Sequence, residues 1–168
     1  DPVVIVKPLS AHCDDPAVVR VDGVDPEGFS VIIQELDYLD GIHALETASY
    51  LVVEHGQHQL PDGSWLEAGL VDTDATASFA DVAFDASFKT EPVVFAGVTT
   101  FNGSDTVTTL LRHIDAAGFQ IKMQEQEKKK QHHIVETLAF LAWEPSSGAI
   151  DGWRFEVGRT PDAVTHES

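Results

Sequence analysis

Residues 28–54 read GFSVIIQELDYLDGIHALETASYLVVE, and residues 118–144 read GFQIKMQEQEKKKQHHIVETLAFLAWE. Both stretches carry Gly-Phe, Gln-Glu, His, Glu-Thr and a final Glu at the same places, offset by 90 residues. Extended outward, residues 2–54 align with residues 92–144 without a gap. A gapless match of this length indicates that one structural unit is present twice.

The alternation of apolar and polar residues predicts that these stretches are β-strands. In GFQIKMQE, Phe119, Ile121 and Met123 alternate with polar residues, which is the period of a strand. The later stretch alone is also compatible with an amphipathic helix, but its counterpart contains Asp40-Gly41, a common turn signal. Because two copies of one unit should share a fold, we predict the same strand–turn–strand hairpin in both. Further short strands bounded by Gly, Pro, Asp or Asn indicate an all-β fold.

The repeat also predicts the domain organisation. DGSWLEAG at 62–69 resembles DGWRFEVG at 151–158, whereas ASFADVAFDASFKTE at 77–91 has no counterpart before residue 1. We therefore expect tandem antiparallel β-sandwich modules of about six strands each, in a piece of a longer protein. The predicted segments are a first repeat that lacks its first strand (1–60), a connecting hairpin or linker (61–79), a second repeat (80–150) and the start of a further repeat or a C-terminal strand (151–168).

Composition excludes several functional classes. With 28 acidic and 10 basic residues, the formal charge is −18, which would repel nucleic acid and anionic lipid. No apolar run reaches about eighteen residues, so no membrane-spanning helix is expected. Cys13 is the only cysteine, which excludes an intrachain disulfide and a Cys-based zinc cluster. Motifs of serine hydrolases, nucleotide-binding loops, HExxH metalloproteases and EF-hands are absent from the sequence, so we do not expect an enzyme.

Part of the sequence carries a motif that is similar to the motif of a known protein family. Its pattern is carried by Phe84, Phe88 and Pro92-Val93-Val94, then a polar loop, then Ile114, Gly118, Phe119 and Ile121, and in part again by Val24, Gly28, Phe29 and Val31. This pattern resembles the H-type lectin domain. The resemblance implies a small antiparallel β-sandwich that oligomerises, with a trimer as the common form. It also implies shallow, calcium-independent sites for N-acetylgalactosamine or related sugars between subunits.

The repeated polar residues form the first candidate site. Glu35 shares a strand face with apolar residues, so we expect it to point inward and to reach His43. We expect the same contact between Glu125 and His133 in the second of the two repeated stretches. A carboxylate–histidine pair can be a polar clasp in a fold, a metal site or a proton shuttle. We favour the clasp, because a unique active site rarely occurs in identical tandem copies. The predicted clasp residues are Glu35, His43, Glu46, Glu125, His133 and Glu136.

The second candidate is a sugar site. A carbohydrate-binding site needs an aromatic side chain on which the sugar ring stacks, and polar side chains that bind its hydroxyl groups. The alternative role for each tryptophan is to fill a gap between the repeats. The predicted sugar-binding residues, in loops or beside turns, are Asp15, Arg20, Trp65, Asn102, Asp105 and Trp153, and Tyr38 is a further candidate platform.

Metal binding is the weaker alternative. The short histidine clusters His55/His58 and His132/His133 are candidate zinc ligands, and the acidic pair Asp72/Asp74 is a candidate calcium site. None has a complete ligand pattern, so we expect no metal and no cofactor. The basic run EKKK at 127–130 is interpreted as a solvated turn.

These observations predict a non-catalytic carbohydrate-binding or adhesion module of a larger secreted or surface protein. Its expected partners are a glycan ligand and further copies of itself in a homo-oligomer, with no nucleic acid and no membrane. The alternative from another class is a structural repeat of a surface layer, fibre or virion that mediates assembly without binding sugar.

Overall fold

The computed structural model describes residues 1–126 and 133–160, and all regular structure in these residues is β-strand. The all-β prediction is therefore confirmed. No helix in these two ranges is long and apolar enough to cross a membrane. The strands are β1 (Pro2–Leu9), β2 (Ala17–Asp25), β3 (Gly28–Glu35), β4 (Ala48–Glu54), β5 (Gly56–Gln59), β6 (Trp65–Thr73), β7 (Ala80–Ala83), β8 (Val93–Val98), β9 (Val107–Arg112), β10 (Gly118–Glu125), β11 (Glu136–Trp143), β12 (Ser146–Ile150) and β13 (Trp153–Val157).

Strand pairing repeats at the same offset as the sequence. β1 pairs antiparallel with β4, with Val4 opposite Val52, and β8 pairs with β11, with Val94 opposite Ala142. The pairing of β2 with β3 recurs in that of β9 with β10. We call β1–β4 the first copy and β8–β11 the second copy.

The tight turn between the second and third strands of each copy is built in the same way. The side chain of Asp25 accepts hydrogen bonds from the backbone N–H groups of Glu27 and Gly28 at 2.7 and 2.9 Å. Asp115 does the same for Ala117 and Gly118 at 2.7 and 3.0 Å. An Asp that caps its own turn is a local signal that the sequence carries, so each copy encodes this turn independently.

The predicted hairpin within residues 28–54 is wrong, as is the one within 118–144. The strands themselves are present, but β3 pairs with β2 while β4 pairs with β1, and β10 and β11 likewise lie in different sheets. The connection between β3 and β4, residues 36–47, thus crosses from one sheet to another. Gly41 has φ +75° in this connection, a backbone conformation that glycine adopts readily in turns.

The sheets stack in layers because the central strands are apolar on both faces. In β11, Leu138, Phe140 and Ala142 enter the core cluster shared with β8, β9 and β10, whereas Ala139 and Leu141 face β1. β1 divides in the same manner: one face packs on β6 and β11, and the other packs on β2 and β3. Two-sided burial needs apolar residues at successive positions, and these strands have them.

The second copy has flanking strands that the first copy lacks. β6 pairs with β11 over eight residues, from Leu66–Trp143 to Thr73–Glu136, and β7 pairs with β10. β6 lies within the segment predicted to be a connecting hairpin or linker (61–79), and it forms a hairpin with β5. In the described residues no strand occupies the corresponding edges of β4 and β3.

Candidate functional site

Two clusters, each with one histidine between two glutamates, lie at matching places in the two copies. In the first, His43 Nδ1 is 3.0 Å from Glu35 Oε1, and His43 Nε2 is 3.4 Å from Glu46 Oε1. In the second, His133 Nδ1 is 3.5 Å from Glu125 Oε1, and His133 Nε2 is 3.1 Å from Glu136 Oε1. The sequence singled out these six residues, and the structure brings them together in two groups of three.

The position of each glutamate follows from the strand order. Glu35 and Glu125 are the last residues of β3 and β10, while Glu136 is the first residue of β11. The histidines come from the connections between these strands. Each cluster therefore joins the end of one sheet to the start of another across the crossing connection, which is where a fold with separate sheets needs a fixed contact.

The second glutamate of each cluster is held by a cradle of donors from the loop after the first strand of its copy. Glu136 accepts hydrogen bonds from the Thr100 hydroxyl at 2.5 Å and from the backbone N–H groups of Asn102 and Gly103 at 3.0 and 2.7 Å. Glu46 accepts from the Ser10 hydroxyl and from the N–H groups of His12 and Cys13. Sequence analysis missed Ser10 and Thr100, although a hydroxyl at both positions of the 90-residue offset was a usable signal.

These donors set the charge of the buried carboxyl groups. Burial alone raises the pKa of Glu136, but the hydrogen bonds from Thr100, from the N–H groups of Asn102 and Gly103 and from His133 outweigh it, so the pKa lies below its ordinary value. The hydrogen bond from Ser10 is the main cause that lowers the pKa of Glu46; burial opposes it, and the N–H groups of His12 and Cys13 add to the lowering. Both carboxyl groups are therefore ionised at neutral pH.

Arg20 is the residue that distinguishes the second cluster from the first. Its guanidinium donates to Glu136 Oε1 at 2.5 Å and to the carbonyl oxygens of Thr100 and Gly103 at 2.8 Å each. Weaker contacts at 3.4 Å reach Gln34 Oε1 and the Asp105 carbonyl. The residue at the equivalent position of the second copy is Leu110. Arg20 therefore joins a strand of the first copy to the glutamate cradle of the second.

This position contradicts the expectation that Arg20 contacts sugar from a loop. The residue lies within strand β2 and has 0% exposed surface. Its long side chain is covered by the 100–105 loop, because that loop supplies the carbonyl acceptors that a buried guanidinium requires. Arg20 is a structural residue in this conformation.

The other predicted sugar-binding residues are spread over different parts of the surface. Asn102 is exposed, and its amide donates to the Val135 carbonyl at 2.9 Å. Asp105 is half-buried in the same loop, and Asp15 is exposed in the equivalent loop of the first copy. Trp65 starts β6 and packs against the main core cluster, so it fills space between strands. Trp153, in contrast, is 81% exposed at the start of β13.

Among the described residues, two groups have ligand atoms close enough together to hold a metal ion. They are Cys13, Glu35 and His43, and Asp105, Glu125 and His133, with donor atoms within 4.8 Å of one another in each group. The weighed zinc pair His132/His133 and the basic run 127–130 fall wholly or partly outside the described residues. His58 Nε2 lies 2.6 Å from the Glu54 carbonyl, and the Asp72 carboxylate accepts from Thr137 at 2.6 Å.

The chemistry available to the clusters is limited by burial. The side chains of His133 and Glu136 have 1% and 0% exposed surface, and those of His43 and Glu46 have 8% and 0%. A proton shuttle or nucleophile must reach a substrate within hydrogen-bonding distance, and side chains so covered cannot do so without the fold opening. The arrangement is suited to holding sheets and copies together.

No protein-family model, no curated protein and no solved structure matches this chain. The similarity to H-type lectins therefore stays a prediction based on the motif quoted above.

Proposed function

We propose that this chain is a non-catalytic structural repeat module that works by assembling with further units of its own kind. The observation that carries the proposal is the buried junction at Arg20. Arg20 has no exposed surface, and its three closest acceptors, Glu136 Oε1 and the carbonyl oxygens of Thr100 and Gly103, all belong to the second copy or its loop. Breaking a buried ion pair costs about 3–5 kcal/mol, so this contact fastens the two copies to each other.

Exposed apolar surface supports assembly. Several large apolar side chains on the strands are more than two-fifths exposed: Val31, Tyr50, Leu51, Val52, Leu70, Phe95 and Leu110. Monomeric soluble proteins seldom expose contiguous apolar patches of more than a few hundred Å², and larger patches mark interfaces. The net charge of −18 keeps such a surface soluble until it finds a partner.

The test is sedimentation velocity of the purified chain over a wide concentration range, at low and at high salt. We expect concentration-dependent association that strengthens with salt, because salt screens the repulsion between two strongly acidic copies. Tyr50→Ser should weaken association, whereas Leu45→Ser, which alters a 94% exposed leucine in a connection, is the matched control. A chain that stays monomeric throughout would refute the proposal.

Glycan binding is a second candidate, and the exposure of Trp153 favours it. An indole that is 81% exposed offers the flat apolar face on which a sugar ring stacks, and Asn102 offers an exposed amide in the loop that the lectin resemblance points to. Saturable binding on a glycan array that Trp153→Ala or Asn102→Ala abolishes would support it. Tyr38→Ala, at a 72% exposed tyrosine, is the control. It should leave glycan binding unchanged if binding depends on Trp153 and not on any exposed aromatic side chain.

We further propose that the protein acts outside the cell or at its surface. The high acidity agrees with an exposed module whose stability depends on packing and buried polar clusters. Detection of the native protein in the culture medium or on intact cells by antibody, with a cytoplasmic enzyme as the lysis control, tests the location; recovery only from lysed cells would refute it.

A further inference from the structure

The first copy has an open strand edge where the second copy has β6. β4 pairs only with β1 in the described residues, whereas its equivalent β11 lies between β8 and β6. The effect on exposure is large. Phe140, Leu141 and Ala142 of β11 are 4%, 1% and 0% exposed, and Tyr50, Leu51 and Val52 at the equivalent positions are 66%, 46% and 43% exposed.

The side chains of β4 are therefore those of a central strand placed at an edge. The Phe29–Tyr50 ring pair, with centroids 5.3 Å apart and planes at 74°, reproduces the Phe119–Phe140 pair at 5.1 Å and 71°. A groove of about 690 Å³ beside β4 is lined largely by apolar residues, among them Tyr50, Leu51 and Phe95. An edge strand of this composition is a template for another strand.

The chain also carries a second strand that is equivalent to β6, the strand that fills this edge in the second copy. This second strand is β13. β5 and β6 form a hairpin with Gly56 opposite Ala68 and Gln57 opposite Glu67. β12 and β13 form a hairpin with Ser146 opposite Val157 and Ser147 opposite Glu156, which is the same register shifted along the chain. DGSWLEAG and DGWRFEVG are the corresponding sequences.

These two hairpins differ in one respect. The outer edge of β6 is occupied by β11, but in the described residues the outer edge of β13 pairs with no strand. In the part of the chain that the structure describes, β4 thus offers an open edge of the acceptor type and β13 an open edge of the donor type. Strands of these two types, β11 and β6, pair with each other in the sheet of the second copy.

We propose that β13 of one chain pairs with β4 of a second chain and completes its sheet. The proposal rests on the proposed assembly function and names its partner. The register follows from the pairing of β6 with β11, in which Gly69 lies opposite Phe140 and Ala68 opposite Leu141. Transferred to the new interface, Gly158 lies opposite Tyr50 and Val157 opposite Leu51.

The glycine at this position gives the register a physical reason. A Cβ on Gly69 would lie 2.3 Å from Cζ of the Phe140 ring, so the ring occupies the space that glycine leaves open. In the proposed interface, Gly158 of one chain has the same role for Tyr50 of the second chain. Within a single chain, a Cβ on Gly158 meets nothing within 4 Å, so no intrachain contact requires glycine there.

Such pairing is heterologous, since donor and acceptor are different surfaces. Each added chain again presents a free β4 or β13, so the assembly grows as a filament or closes as a ring. Strand addition of this type gains main-chain hydrogen bonds for affinity and side-chain contacts for specificity.

Disulfide trapping tests the register in the full chain. In a Cys13→Ser background, Leu51→Cys with Val157→Cys should give a ladder of dimers, trimers and larger species on non-reducing gels after mild oxidation. Leu51→Cys with Arg154→Cys is the matched control, because both sites lie on the same strands but three residues out of register. Equal ladders for the two variants, or no ladder for the first, would overturn the proposal.

A clash and its rescue give an independent reading. Gly158→Leu should leave the melting temperature unchanged but abolish association by sedimentation velocity. Gly158→Leu with Tyr50→Ala should restore association to the level of Tyr50→Ala alone. Association that persists in Gly158→Leu and shows no register-specific crosslinking refutes this interface but leaves the assembly function standing. A wild-type chain that never associates refutes both.

Discussion

Replacing Arg20 by methionine tests how the two copies are joined. Methionine keeps much of the side-chain length and apolar contact but removes the guanidinium, which donates to Glu136 and to the carbonyl oxygens of Thr100 and Gly103. Breaking a buried ion pair from one side costs about 3–5 kcal/mol. Glu136 keeps its hydrogen bonds from Thr100, Asn102 and Gly103, so we expect the lower end, about 3 kcal/mol.

A loss of that size lowers the melting temperature by about 6–12 °C for a chain of this length. Urea unfolding followed by tryptophan fluorescence and circular dichroism measures it, and the two probes should coincide if the copies unfold together. Arg112→Met is the control: Arg112 is exposed and donates to Gln120 at 2.7 Å, so its loss should cost less than about 1 kcal/mol.

The coupling between Arg20 and Glu136 can be measured separately. Glu136→Gln removes the negative charge that the guanidinium neutralises, so the double variant should lose less than the sum of the single variants, by about 1–3 kcal/mol. An Arg20→Met variant that loses no more stability than Arg112→Met, or a double variant that is simply additive, would refute the view that this contact joins the copies.

The remaining predictions concern the clusters and the sheet. The pKa of Glu136 lies below its ordinary value of 4.5. Its contribution to stability is therefore present above about pH 4.5 and is lost as the pH falls through the lower, folded-state pKa. Urea unfolding between pH 3 and 7 should show this loss, with a flatter profile in Glu136→Gln. His133→Ala should cost about 2–4 kcal/mol by thermal or urea unfolding, because it leaves two buried carboxylates without a shared partner; unchanged unfolding combined with lost ligand binding would contradict the clasp. Gly69→Ala should lower the free energy of unfolding, measured in urea, by about 1–3 kcal/mol, because the added Cβ would overlap the Phe140 ring. Gly158→Ala should leave the unfolding free energy of the monomer unchanged.

Sequence patterning predicts strands and faces in this protein but not strand partners. Alternation in GFQIKMQE correctly assigns Phe119, Ile121 and Met123 to the buried face. It carries no information about which edge meets which strand, so β3 and β4 were expected to pair across Asp40-Gly41 and instead lie in separate sheets. A turn signal favours a hairpin only when the flanking strands have no better partners, and here β1 and β2 provide them.

Some contacts of the candidate site could likewise be predicted from the sequence, and others could not. The distance between Glu35 and His43 could be predicted because both belong to one repeated stretch with a fixed short connection. The role of Arg20 could not be predicted, because the acceptors that surround its guanidinium lie far away in the sequence. Only the loop at 100–105, eighty residues further along the chain, buries it. The one local hint is that the equivalent residue is Leu110.

The placement of β6 has an evolutionary consequence. β6 completes the sheet of the second copy, but in the chain it directly follows the first copy. The gene segment that encodes one 90-residue repeat therefore need not coincide with the set of strands that forms one β-sandwich. Unequal crossing-over between equivalent positions of residues 2–54 and 92–144 would add or remove 90 residues and would leave a β5–β6-type hairpin ahead of the following copy. Such a gene can lengthen or shorten in whole steps while each interior junction is preserved. For the same reason, a fragment meant to carry the second copy should begin before Gly56, so that β11 keeps its neighbour.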